Sequence, residues 1–167
     1  MKLFIKKLYF PHSIDHVIDS LFKIPQLNEH FDKGVSYEGN IMPRGAKIYP
    51  GFWDANKIMK GLDRPERGVL LVLTSLDLKG DYGRIHGKGH DGVAIISSNG
   101  YTGGWGFNPR DISFNAMAYG EIGHALGLKH HEIKRNDSCA MTHNFHPHPD
   151  WKSLEDIRFC DGCYSGL

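Results

Sequence analysis

The twelve residues from Gly120 to His131, GEIGHALGLKHH, constrain this chain more than any other stretch. Glu121 and His124 stand three apart, so on a helix both project from one side. Gly127 follows where a left-handed residue can end that helix and swing the chain round. His130 arrives just past the turn, within reach of His124. Two neutral imidazoles beside a carboxylate suit zinc, which takes nitrogen ligands in a tetrahedron and keeps a position open for water. The carboxylate is a natural base for that water.

The helix carrying these groups is predicted from about Asp111 to Leu126. Its Phe114, Met117, Ala118, Ile122 and Ala125 recur at the three-and-four spacing of a buried face. Before it, the chain alternates strands and helices. Met1 to Phe10 reads as a strand ended by Pro11, and Ser13 is positioned to cap a helix bearing Ile14, Val17, Ile18, Leu21 and Phe22. Pro25 interrupts that helix before it resumes over Gln26 to Phe31. Val35 to Tyr49 offers short strand pieces, and a helix is expected across Trp53 to Leu62.

Gly68 to Leu78 (GVLLVLTSLDL) is apolar enough for the middle of a sheet. Gly80 to Gly92 reads as an exposed loop, Gly92 to Ser98 as another strand, and the segment from Ser98 to Arg110 as a turn-rich connection. The tail from Lys129 to Leu167 lacks periodicity apart from a short helix expected over Trp151 to Ile157. The order predicts an α/β (α+β) fold in one domain, residues 1–167. An N-terminal lobe would span about 1–127 and a small irregular C-terminal lobe about 128–167, with the histidine motif at the join. A cleft between lobes is a usual place for a substrate.

Composition narrows the function classes. Apolar residues make up 40% of the chain and charged residues 23%, the balance of a soluble globular protein. A net charge of +1 without basic or acidic blocks gives no reason to expect nucleic acid or a membrane surface. No segment reaches the roughly 18 apolar residues of a membrane span, and the lysine-broken N-terminus is not a secretory signal. Six of the eleven histidines fall between His124 and His148, which is a metal cue. The three cysteines, two of them as Cys160-Asp-Gly-Cys163, do not make an even disulfide framework. These features are those of a cytoplasmic monomer with reduced thiols.

The frame x-E-x-x-H-x-x-G-x-x-H is that of the long zinc-protease signature, which carries a histidine immediately before the glutamate. Here that place is held by Gly120. Downstream, His131 follows His130 directly, Cys139-Ala140-Met141 comes next, and Cys160 and Cys163 close the chain. Together these resemble the archaemetzincins, whose motif has a cysteine after the third histidine, another two residues before the Met-turn methionine, and a late C-x-x-C. LVLTSLDL and GVAIISS are similar to the family's central and rim strands.

The resemblance implies a metzincin-like twisted mixed sheet with backing and active-site helices. It implies a zinc-dependent peptidase acting on peptides or proteins, with Glu121 as catalytic base and His124 and His130 as zinc ligands. Met141 would lie beneath that metal. A second, structural zinc would be held by Cys139, Cys160, Cys163 and His131, the last standing where the family has cysteine, an ordinary exchange among Cys₃His sites. His143, two residues after Met141, is the candidate to replace the ligand missing at Gly120; its bland reading is one histidine of a solvated loop with His146 and His148. The bland reading of the cysteines is an unmetallated pair. The strand from Gly92 to Ser98 is expected to offer a free edge to an extended peptide, with Tyr101, Trp105 and Phe107 near the entrance. The competing reading of the whole is a non-enzyme that keeps the fold and the structural zinc for binding. A weaker third is a hydrolase acting on something other than peptides.

Overall fold

The computed structural model describes residues 1–42, 45–48, 51–99, 108, 110–131, 138–142 and 149–167. His143, His146, His148, Tyr101, Trp105 and Phe107 lie outside the described residues.

The frame is a mixed five-stranded sheet in the order β2-β1-β5-β9-β8, built from Val35–Asn40, Leu3–Leu8, Val69–Thr74, Val93–Ser97 and Gly87–His90. The first four run parallel, and β8 lies antiparallel along β9. Every residue of β5 is buried, because the strand is covered on both faces. Val69, Leu71 and Leu73 turn to one side, where they meet α1 (Ile14–Leu21), α2 (Pro25–His30) and α4 (Ile112–Ala125). Leu70 and Val72 turn to the other, toward α3 (Ala55–Lys60). A second, smaller sheet orders β3 (Lys47–Ile48), β4 (Phe52–Asp54), β6 (Leu78–Gly80) and β7 (Gly83–Ile85).

Three expectations change. The helix anticipated from Trp53 begins only at Ala55, because Phe52 to Asp54 forms a short strand and Asp54 caps the helix by accepting from the Lys57 amide at 3.1 Å. The glycine-rich stretch from Gly80 to Gly92 is not a loop. It holds β7 and β8, and β8 joins β9 through Asp91 and Gly92, whose φ of 52° and 79° give the two left-handed residues of a tight hairpin. As a result the rim strand β9 is paired on both sides, and among the described residues the strand at this edge of the sheet is β8, with β2 at the opposite edge.

The tail packs without long elements. After Leu128 the described residues hold a one-turn 3-10 helix (Leu154–Asp156), where the sequence suggested a longer one, and α5 (Asp161–Tyr164). Met141, Ile157 and Phe159 nonetheless belong to the same buried cluster as Leu71 and Ile122. Gln26 ties the tail to α2. Its amide donates to the Phe159 carbonyl at 3.2 Å and accepts from the Phe159 N–H at 2.6 Å, while the Tyr119 hydroxyl also donates to it at 3.2 Å.

Candidate metal centres

Helix α4 brings the first group of candidates together. Phe114, Ala118, Ile122 and Ala125 fasten it to the sheet, as their spacing predicts, and Met117 packs at the margin. The helix ends at Leu126 in a glycine cap: Gly127, with φ 97°, donates to the His124 carbonyl at 3.0 Å, and Leu128 donates to that of Gly123 at 2.9 Å. This reversal delivers His130 to His124, and their Nε2 atoms lie 3.0 Å apart.

Both rings are held from behind. His124 Nδ1 donates to the Leu128 carbonyl at 2.9 Å, and His130 Nδ1 donates to the Met141 carbonyl at 3.1 Å. With each Nδ1 directed at a carbonyl, the two Nε2 atoms face each other, an arrangement that suits either a shared proton or a cation, and backing of this kind is how proteins orient metal-binding imidazoles. The donor set is incomplete, however. Gly120 supplies nothing, and a Cβ there would stand 3.0 Å from the Ala140 carbonyl oxygen.

Glu121 is 8% exposed and faces β8. Burial pushes its carboxyl up to about 8, against the opposing pull of the Gly89 amide and the Lys88 charge. Sequence reasoning missed why the carboxylate sits there. Gly87 and Gly89 present bare backbone to α4: a Cβ on Gly89 would lie 1.9 Å from the Glu121 carbonyl oxygen, and one on Gly87 2.8 Å from the Glu121 Cγ. The available signal was glycine at alternate positions of a short strand, which marks a close approach. Gly123 does the same beneath the pocket, where a Cβ would meet Met141 Sδ at 2.7 Å and Phe159 Cζ at 2.8 Å.

The second group is closer to complete. His131, Cys139, Cys160 and Cys163 each offer a donor atom, all within 4.8 Å of one another. Cys139 Sγ is 3.9 Å from Cys163 Sγ, and Cys160 Sγ is 3.5 Å from His131 Nε2. The ligand-to-ligand edge of a tetrahedral zinc–thiolate site is about 3.7 Å, so these separations fit the metal. The amides of Met141 and Cys160 donate to Cys139 Sγ at 3.5 and 3.1 Å, as amides do toward a thiolate. Cys160 also precedes α5 as its N-cap residue, a short helix the sequence did not announce.

Without metal, burial pushes the Cys139 thiol up and that of Cys163 up to about 12. Burial acts the same way on Cys160, yet hydrogen bonds from the Cys163 amide and thiol outweigh it and bring Cys160 below its ordinary value. Loading a dication here therefore releases protons.

A mixed sheet with an antiparallel rim strand, a long helix ending in a glycine turn, and a tail packed beneath it match the archaemetzincin fold. The chain is similar over 100% of its length to the crystal structure of archaemetzincin from Archaeoglobus fulgidus, covering 100% of that chain at 21% identity and a TM-score of 0.67. It matches archaemetzincin from Methanopyrus kandleri over 99% of this chain and 92% of that one, at 17% identity and a TM-score of 0.68. A zinc-dependent peptidase from Methanocorpusculum labreanum matches over 97% and 98%, at 18% identity and a TM-score of 0.62. No family model and no curated protein sequence matches the chain. Among the described residues no helix is long and apolar enough to cross a membrane.

Proposed function

We propose that this protein is a zinc-dependent peptidase of the archaemetzincin type, working from a reduced catalytic centre. The observation that carries the reading is the pair of Nε2 atoms at 3.0 Å with both Nδ1 atoms engaged by carbonyls, His124 standing on the helix that also bears Glu121 and His130 just past its end. His124 and His130 would hold the catalytic zinc, and His131, Cys139, Cys160 and Cys163 a structural one. Zinc, when bound, polarises the scissile carbonyl and makes water acidic enough to attack near neutral pH. Glu121, whose carboxyl a bound dication would draw down from its metal-free value into the carboxylate form, would take the proton from that water and pass it to the leaving amine. An extended peptide would lie along the outer edge of β8, the edge strand packed against α4. We assign His143 as the third zinc ligand in place of position 120. The chain would act as a cytoplasmic monomer, a single catalytic domain whose two lobes meet at the motif.

Gly120 favours a second reading, in which the pocket has lost hydrolysis and the fold binds peptides without cleaving them. One experiment separates the two: zinc content and peptide hydrolysis of the native chain, Gly120→His, Glu121→Gln and His143→Ala. The expected result is two zinc ions and measurable hydrolysis in the native chain, with hydrolysis abolished in Glu121→Gln and one zinc remaining in His143→Ala. Hydrolysis confined to Gly120→His would establish the non-enzyme reading instead.

A further inference from the structure

We infer that the cluster of Cys139, Cys160, Cys163 and His131 sets the position of the His130 imidazole, so that filling the cluster strengthens metal binding by the His124–His130 pair. The inference deepens the two-imidazole reading above and rests on it. The two groups share a short piece of chain. His131 is covalently next to His130, and Cys139 lies two residues before Met141. The backbone of Met141 joins them, through the peptide group on either side of its Cα. Its carbonyl accepts both the His130 Nδ1–H and the His131 N–H, each at 3.1 Å, while the Met141 N–H points the other way and donates to Cys139 Sγ at 3.5 Å.

One residue thus orients an imidazole of the first group through its carbonyl and is held by a donor atom of the second through its amide. A bridge between His131 and Thr142 brackets the same junction. A thiolate binds backbone N–H groups more strongly than a thiol does, because the hydrogen bond becomes charge-assisted. Metal loading converts Cys139 to a thiolate and locks His131, which tightens the anchors of the two peptide groups that flank Met141. The opposing idea is that packing alone fixes this turn, since Met141 is fully buried against Gly123. In that case the state of the cluster would be irrelevant to His130.

The test uses the full-length protein with ¹⁵N-labelled histidine, read by long-range ¹⁵N–¹H NMR for imidazole tautomers, together with a competition titration for zinc. Zinc is added stepwise to the metal-free chain. The expected result is that the share of His130 in the Nδ1–H tautomer rises with the first equivalent, the one that fills the thiolate cluster. In Cys163→Ser that rise is lost, and zinc affinity of the imidazole pair falls about 10-fold or more, inside the usual range of intersite coupling. His131→Cys, which keeps a four-ligand cluster, retains both, and guards against a Cys163→Ser chain that fails to fold. A His130 tautomer and pair affinity independent of cluster loading would overturn the inference. If the native pair takes a second zinc with an affinity that follows cluster loading yet no peptide is cleaved, the coupling stands and the peptidase reading falls.

Discussion

Glu121 is the residue on which both chemistry and stability bear. Its carboxyl is raised from an ordinary 4.5 to about 8, so the folded chain holds this proton more tightly than the unfolded chain. The stabilisation is complete below the unfolded value and disappears as pH rises through the folded one. In the metal-free protein, Glu121→Gln should therefore be more stable than the native chain at pH 9 by on the order of a few kcal/mol, and close to it near pH 5. Urea unfolding at the two pH values measures this, and parallel stabilities at both would mean the carboxyl is not desolvated as described. The identity and spacing of Glu121, His124 and His130 were legible in the sequence. Their tautomers were not, because the Leu128 and Met141 carbonyls that fix them come into place only through the reversal at Gly127 and the Met141 turn.

At the scale of elements, the decisive contact is α4 against β8. Helix and strand approach until the Glu121 carbonyl occupies the space a side chain at residue 89 would need. Gly89→Ala must push the two apart, which should cost about 3 kcal/mol or more as overpacking. Thermal unfolding gives that loss directly, and a variant within about 0.5 kcal/mol of the native chain would refute the close approach. Helical periodicity identified α1 and α4, and apolar runs identified β1, β5 and β9, the last two buried on both faces. Both signals failed from Gly80 to Gly92, where the strands are short and their key positions are glycine. Such strands owe their pairing to backbone hydrogen bonds and to a helix lying over them, and neither leaves an apolar pattern to read.

At the scale of the molecule, the tail holds its place through Gln26, the stack of Tyr119 on Phe159 (ring centroids 3.9 Å apart), and the four-residue cluster. Structural zinc sites contribute on the order of 10 kcal/mol of apparent binding free energy, much of it folding free energy. Stripping the metal with a chelator should then lower the melting temperature by about 10 °C or more for a chain of this size and open the segment beyond Leu128 to proteolysis. A melting curve unchanged by chelation would show that apolar packing alone secures the tail. The sequence by itself determined which residues offer donor atoms, where the central strands and the motif helix run, and that glycine stands immediately before Glu121, since these depend on residue type and local spacing. Only the tertiary structure decided that β8 takes the edge from β9, that glycines seat Glu121 against it, and that Met141 links the two clusters. Those facts depend on backbone atoms of segments distant in the chain, whose meeting no local pattern encodes.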